Sequence, residues 1–308
     1  MATYLVTQAT GSQSQWTITH LLAAGAKVHA VVRNPDKDLP AILKKPGVTI
    51  FKGDSTDFDS IYKAALGCKG VFLNTYPIPG VESKQAETIA AAAKKAGVET
   101  VVGCTTFGTG ETSKWDKDVI KEGPLYPYYV SKAGVETTIR EAGFKAYTIL
   151  RPGFIAFNYF DPHVQGNFPL LPSTGVIYHG YEDGARMPQT DGSDIGRIAA
   201  AALLDPAKYN GQEIDLISEN ATIEEVRDIL VKVSGRDIKT QKWTQAEAEE
   251  QKTAPIFSVW FHLLCNNNNF EDLMAKAKET HAKLGISMTS LEDALTRDKA
   301  ELLESLPA

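Results

Sequence analysis

Cysteine is scarce in this chain. Cys68, Cys104 and Cys265 are the three among 308 residues, far apart and odd in number. That pattern excludes a disulfide framework and a cysteine-based metal site. A dominant charge is also missing. Lys and Arg total 32 against 38 Asp and Glu, a formal net charge of −6 with no long basic run. Nucleic acid therefore has no electrostatic footprint to bind. No apolar run approaches the roughly 18 residues of a membrane span, and no charged-then-apolar leader is apparent. The expectation is a cytoplasmic protein with neither membrane nor nucleic-acid partner. His163, His179 and His262 lack ligand spacing, so no metal is expected. What remains is a chain with 43% hydrophobic residues, ordinary for a globular protein and long enough for a large core.

The first thirty-odd residues organise the rest. Thr3-Tyr4-Leu5-Val6-Thr7 reads as a short buried strand, and Gln8 to Ser14 (Q-A-T-G-S-Q-S) as a turn of small and polar residues. Trp16 to Ala24 carries apolar residues at helical spacing until Gly25, and Lys27 to Val32 is a second strand. Strand, tight turn, helix and strand make a βαβ unit, whose first turn is where such folds hold a dinucleotide. A helix N-terminus binds pyrophosphate because its N–H groups point outward and its dipole is positive there. Thr7, Ala9, Thr10, Gly11, Ser12, Gln13 and Ser14 are the expected cofactor contacts. The loop is imperfect. Gln8 and Ser14 stand where the first and third glycines belong. Ser14 is small and able to hydrogen-bond phosphate, whereas Gln8 puts a Cβ where the turn wants none.

Arg33 ends the second strand, where an NAD-binding protein usually has Asp or Glu for the ribose 2′-hydroxyl. A guanidinium there, with Lys37 close by, suits a 2′-phosphate and hence NADP(H). The alternative is a solvated strand-end cation.

Strand and helix patterns then alternate: strands at 48–51, 70–73, 100–103 and 146–150, with helices at 59–66, 81–96 and 132–141. This predicts an α/β fold, a Rossmann-type doubly wound parallel sheet over residues 1–152, completed by about 190–217. After Arg151 the segment 152–181 is rich in Pro, Gly and aromatics and reads as long loops with short strands. Helices follow at 193–204, 222–234 (Thr222 as N-cap, Glu225 at its third position), 271–283 and 290–303, with a strand at 213–217. Residues 153–308 are expected to form a smaller mixed α/β substrate lobe, with 266–269 a surface loop.

The segment L-V-T-x-A-T-G followed by V-V-R-N-P-D-K resembles the NmrA-like and isoflavone-reductase-like branch of the atypical short-chain dehydrogenases. The resemblance implies NADP(H) over NAD(H). It implies that Asp54, after the third strand, contacts the adenine, against the alternative of a turn-forming Asp. Asn74 and Thr75, ending the fourth strand, are placed with the cofactor. Matching Phe107-Gly108 to the family's Pro-Ser-Glu-Phe-Gly puts Thr105 on the Ser, a hydroxyl able to orient a carbonyl. Cys104 and Thr106 depart from that pattern. Ile149-Leu150-Arg151-Pro152-Gly153-Phe154 is similar to the family's L-R-P-G segment, which implies that Pro152, Gly153 and Phe154 lie along the nicotinamide. Asp191-x-x-Asp194-Ile195-Gly196 matches a structural motif.

Tyr128-x-x-x-Lys132 is the most chemical signal, since four residues on a helix share a face. A Lys ammonium lowers a neighbouring phenol's pKa, and is able to hold the nicotinamide ribose, while the phenol exchanges the proton that matches hydride transfer. Tyr129 is the competing phenol. Phe154, Phe157, Tyr159, Phe160, Trp260 and Phe261 are either core or the wall of a pocket for an aromatic or polycyclic substrate. The leading expectation is an NADPH-dependent reductase of a small molecule in specialised metabolism, monomer or homodimer. The rivals are an NADP(H)-sensing regulator with a protein partner, and a non-redox cyclase or isomerase on the same scaffold.

Overall fold

Short runs of β-branched and apolar residues become the strands of one sheet. In the computed structural model, which describes residues 1–78, 80–253 and 258–307, these are β1 (Thr3–Val6), β2 (Lys27–Val32), β3 (Val48–Lys52), β4 (Gly70–Leu73), β5 (Thr100–Cys104), β6 (Ala146–Pro152) and β7 (Gln212–Leu216). Their order is β7-β6-β5-β4-β1-β2-β3. The pairs β1–β2, β2–β3, β1–β4, β4–β5 and β5–β6 are all parallel. Every residue of β4 and β5 is buried, as parallel strands covered on both faces require. Strand order reverses between β1 and β4. That switch point opens a crevice beyond the carboxyl ends of the strands, the usual ligand position in open α/β sheets. The expected doubly wound fold is present.

Two compact units divide the chain. Met1–Thr109, Tyr128–Arg151 and Gly192–Asp215 form the first, and Gly110–Pro127, Pro152–Asp191 and Leu216–Ala308 the second. The first holds the sheet and the helices Ser12–Ala23, Phe58–Ala65, Val81–Lys95 and Gly192–Leu204, with most of Leu125–Glu141. Two of these helices start earlier than the periodicity indicates. Ser12–Ala23 opens with Ser-Gln-Ser-Gln, a polar turn that hides its start. Leu125–Glu141 contains Pro127 in its first turn, where the missing N–H has no intrahelical partner to lose.

The second unit has a three-stranded sheet (Glu219–Ala221, Met187–Thr190, Phe154–Ile155) and a strand pair (Lys239–Lys242 with Val176–His179). The Ile223–Ser234 helix begins with the expected capping box, Thr222 and Glu225 bonding reciprocally. The helix expected over 290–303 is interrupted at Asp298, giving Leu291–Arg297 and Lys299–Glu304. The asparagines at 266–269 are more than a surface loop. Asn268 donates to the Lys114 and Leu264 carbonyls (2.9 and 2.7 Å), and its Oδ1 accepts from Lys117 Nζ at 2.9 Å. Among the described residues no helix is long and apolar enough to cross a membrane.

Candidate functional site

The loop after β1 keeps its turn at a cost. Gln8 adopts φ +49°, the left-handed region that glycine occupies freely, and Gly11 N–H closes the turn on the Gln8 carbonyl at 2.8 Å. The Gln8 amide Nε2 donates to Gln85 Oε1 (3.4 Å), which also accepts the Tyr76 N–H at 2.8 Å. Thr10 and Gly11 are exposed at the crest, and Ala9 is buried beneath. The Ser12–Ala23 helix then starts with Gly11 as N-cap, no side-chain cap and no acidic residue in its first turn. The positive end of its dipole faces the loop with no acidic residue against it, so the residues present fit a pyrophosphate. Gln13 Oε1 is buried and has no hydrogen-bond partner among the described residues.

Ser14 corrects one expectation. It is fully buried, donating to the Thr7 carbonyl at 2.9 Å and accepting from Asn74 Nδ2 at 3.2 Å. Its hydroxyl ties helix to strand, the packing role of the third glycine, and is not turned to phosphate. Thr7 and Asn74 complete the stitch, Thr7 Oγ1 donating to the Asn74 carbonyl (2.8 Å) and accepting its N–H (3.0 Å).

Arg33 and Lys37 are both exposed just beyond β2. Asp54 forms a turn, its Oδ1 accepting Thr56 N–H (2.8 Å) and Thr56 Oγ1 (2.7 Å). These bonds hold its carboxyl below the usual range, and the Arg33 charge adds to the effect.

Tyr128 and Lys132 come together as the helical spacing requires, with Lys132 Nζ 5.4 Å from the centre of the Tyr128 ring. Tyr129, the competing phenol, is core: it is 1% exposed and donates to the Phe107 carbonyl. Tyr128 instead lies near the Thr106 hydroxyl, which works to lower the phenol's pKa. Lys132 is buried and donates to Glu82 Oε1 at 2.7 Å. Burial works to lower the Lys132 pKa, but Tyr128 and Glu82 outweigh it and hold the ammonium above its ordinary value. Glu82, on the Val81–Lys95 helix, also accepts from Thr75 Oγ1 (2.7 Å) and Ser131 Oγ (2.8 Å). Ser14–Asn74 and, one residue on, Thr75–Glu82–Lys132–Tyr128–Thr106 thus run from the phosphate loop to the phenol.

Thr105 stands outside that set. Its buried hydroxyl donates to Glu136 Oε1 at 2.8 Å. Arg151 grips the same buried carboxylate with two bonds (2.8 and 2.7 Å) and also reaches Glu213. The expectation that Thr105 steers a substrate carbonyl is therefore corrected, because its hydroxyl is committed to a buried ion pair. Thr106, the residue that departs from the family pattern, is the one beside the phenol.

Pro152, Gly153 and Phe154 turn from β6 into the second unit. Gly153 N–H donates to Thr190 Oγ1 at 2.7 Å, and a Cβ on Gly153 would stand 2.6 Å from the Pro188 carbonyl oxygen. Close strand pairing accounts for this glycine. Phe154 belongs to an aromatic core with Tyr159 (5.3 Å), Phe261 (5.8 Å) and Phe168 (6.0 Å). Tyr159 is fully buried. In the D-x-x-D-I-G segment, Asp191 is held by Arg297 (2.7 and 2.8 Å), and a Cβ on Gly196 would lie 2.3 Å from the Trp16 backbone. Both features are structural.

Glu82, Gln85 and Thr106 were missed by sequence reasoning. One signal was available: Glu82 heads the apolar stripe of its helix, four residues before Ala86, where a charge belongs only if paired.

Comparison with known proteins now has geometry to meet. The NmrA-like family model matches residues 2–304. Among relatives, the NmrA-like family domain-containing oxidoreductase himF of Aspergillus japonicus is 25% identical over 252 residues, 74% of this chain and 72% of that protein. Agroclavine dehydrogenase of Claviceps fusiformis is 34% identical over 104 residues, a match spanning 33% of this chain and only 35% of that enzyme. Among solved structures, the negative transcriptional regulator NmrA in complex with NAD superposes with a TM-score of 0.76 at 19% identity, covering 99% and 98% of the two chains. The NADPH complex of the Escherichia coli quinone oxidoreductase QOR2 gives 0.73 at 20% identity, covering 96% and 99%. With its family model matched from end to end, the chain belongs to the NmrA-like family.

Proposed function

We propose that the protein is a cytoplasmic NADPH-dependent reductase of a small aromatic or polycyclic molecule, a carbonyl compound or quinone, in specialised metabolism. One observation carries the reading. A phenol, Tyr128, stands beside a buried ammonium, Lys132, whose partner Glu82 also accepts from Thr75, next in the chain to the Asn74 that bonds Ser14. NADP(H) over NAD(H) rests on the exposed Arg33 at the end of β2, with Lys37 nearby. The oxidoreductase names of relatives support the reading.

The loop from Thr7 to Ser14 and Arg33 would hold NADPH, which would supply a hydride to an electron-poor carbon. Tyr128 gives its phenolic proton to the oxygen that receives the electron pair of the broken C=O π bond, so that carbonyl becomes alcohol. Lys132 steadies the phenolate left behind, because its buried ammonium stands over the Tyr128 ring. Water then returns the proton.

The test is NADPH oxidation by the purified protein over a panel of quinones and aromatic ketones. Steady turnover that Tyr128→Phe lowers at least about 100-fold supports the reductase. Binding of NADPH without turnover on any acceptor favours the cofactor sensor, a reading kept by the fold shared with the NmrA regulator.

A further inference from the structure

Glu82 lies fully buried in the first turn of Val81–Lys95. Three side-chain donors converge on it: Thr75 and Lys132 on Oε1, each at 2.7 Å, and Ser131 on Oε2 at 2.8 Å. The ion pair with Lys132 leaves side-chain exposures of 6% and 0%. Two charges this deep give up their hydration, and apolar side chains would join the same helices with less desolvation. A buried ion pair set beside a phenol therefore points to a task at that phenol.

Resting on the reading of Tyr128 as proton donor, we infer that Glu82 is a positioning residue for the Tyr128–Lys132 pair. It anchors the Lys132 ammonium beside the ring, and its negative charge keeps both partners protonated, so that Tyr128 meets the substrate as an acid.

The groups acting on the phenol come from three elements. Lys132 lies on its own helix, Glu82 on Val81–Lys95, and Cys104 at the end of β5, with the Thr106 hydroxyl just beyond. Burial raises the phenol most. Glu82 and Cys104 add to that, while Lys132 and Thr106 oppose it. The Cys104 thiol is itself pushed up to about 12 by burial and stays neutral. With Glu82 removed, the lysine's charge would face the phenol unopposed. The pair would then lose its first proton at lower pH, whichever partner gave it up. A phenol already ionised has no proton to donate.

NMR titration of the full chain, labelled with 13C at tyrosine Cζ and lysine Cε, reads this directly, with Tyr128→Phe and Lys132→Met to assign the resonances. In the unaltered protein, Tyr128 and Lys132 stay protonated through about pH 9. Glu82→Gln brings the first proton loss down by at least about one pH unit, a tenfold change in acidity. Glu82→Asp, which keeps the charge, stays within about half a unit. The alkaline limb of the kcat profile moves in step with these values. Phenolate at or below about pH 8 in the unaltered protein overturns the inference, as does a Glu82→Gln titration that is unmoved or moves up. Should Glu82→Gln fail to fold, the unaltered protein and Glu82→Asp decide. Lack of NADPH turnover would sink the reductase and leave this titration standing; an unmoved titration with intact turnover would sink the role of Glu82 alone.

Discussion

Gln8 holds a left-handed backbone that no Cβ favours, at φ +49°. A non-glycine residue there costs about 1–3 kcal/mol. Glycine would relieve that strain while losing a long 3.4 Å hydrogen bond and adding chain entropy to the unfolded state. Gln8→Gly should therefore raise stability by at most about 1 kcal/mol, whereas Gln8→Val should lower it by at least about 1 kcal/mol. Urea unfolding of the two variants checks both signs. At the other end of the network, Tyr128→Phe should abolish proton donation yet leave NADPH affinity within about twofold, which separates chemistry from binding. Not all of this was legible at the residue scale. Tyr128 and Lys132 were, because helical spacing alone puts them on one face. Thr105 was matched to the family Ser as a hydroxyl able to orient a carbonyl, and only the fold shows that Glu136 accepts its hydrogen bond. Glu82 stayed hidden because its partners lie 7 to 50 residues away in sequence.

Elements hold the site through two devices. The Gly192–Leu204 helix reaches the Ser12–Ala23 helix at Gly196, where any Cβ would press on the Trp16 and Thr17 backbone at 2.3–2.5 Å. Backbone cannot swing aside as a side chain can, so Gly196→Ala should cost about 1–3 kcal/mol and displace the helix that starts the phosphate loop. Thermal unfolding and NADPH affinity should fall together. The second device is the Glu136–Arg151 pair, which joins the Leu125–Glu141 helix to β6. Arg151→Met removes two charge-assisted bonds but leaves Glu136 paired with Arg140 at 2.7 Å, so it should destabilise by about 1.5–3 kcal/mol, measured by denaturant unfolding. The strands of the central sheet and the Thr222–Glu225 capping box were legible, because short apolar runs bounded by turn residues and cap chemistry are both local. Sequence alone missed where Ser12–Ala23 and Leu125–Glu141 begin, because the first turn of one is polar and that of the other carries Pro127. It could not explain Gly196 or Arg151, whose reasons are neighbours in space.

For the molecule as a whole, acid sensitivity should come partly from the second unit. His262 is buried, its Nδ1 accepts the Gly180 N–H at 3.1 Å, and Nε2 has no hydrogen-bond partner among the described residues. Burial, with His179 adding, lowers its pKa from 6.5 to about 3. A base whose folded pKa is depressed binds its proton more readily when unfolded. Its contribution to stability is therefore complete above about pH 6.5 and is lost as pH falls toward 3, by roughly 1.4 kcal/mol per pH unit. Between pH 7 and 5, His262→Phe should lose about 2 kcal/mol less than the unaltered protein. Parallel curves would place the acid sensitivity elsewhere. Overall topology was the most legible property, since alternating strand and helix patterns leave a parallel sheet few other arrangements. The passage of residues 110–127 into the second unit was not, because they leave no compositional mark where they change units, whereas the return of about 190–217 to the sheet was read from its helix and strand pattern.

The central claim is that the loop at the switch point, strained Gln8 included, binds NADPH and engages Arg33. Calorimetric titration of the nucleotide-free protein with NADPH, with NADH alongside and Arg33→Ala as control, tests it most directly. A working site binds NADPH at least about tenfold more tightly than NADH, about 1.4 kcal/mol, and Arg33→Ala erases the difference. No heat with either nucleotide, or equal affinity for both, would contradict it.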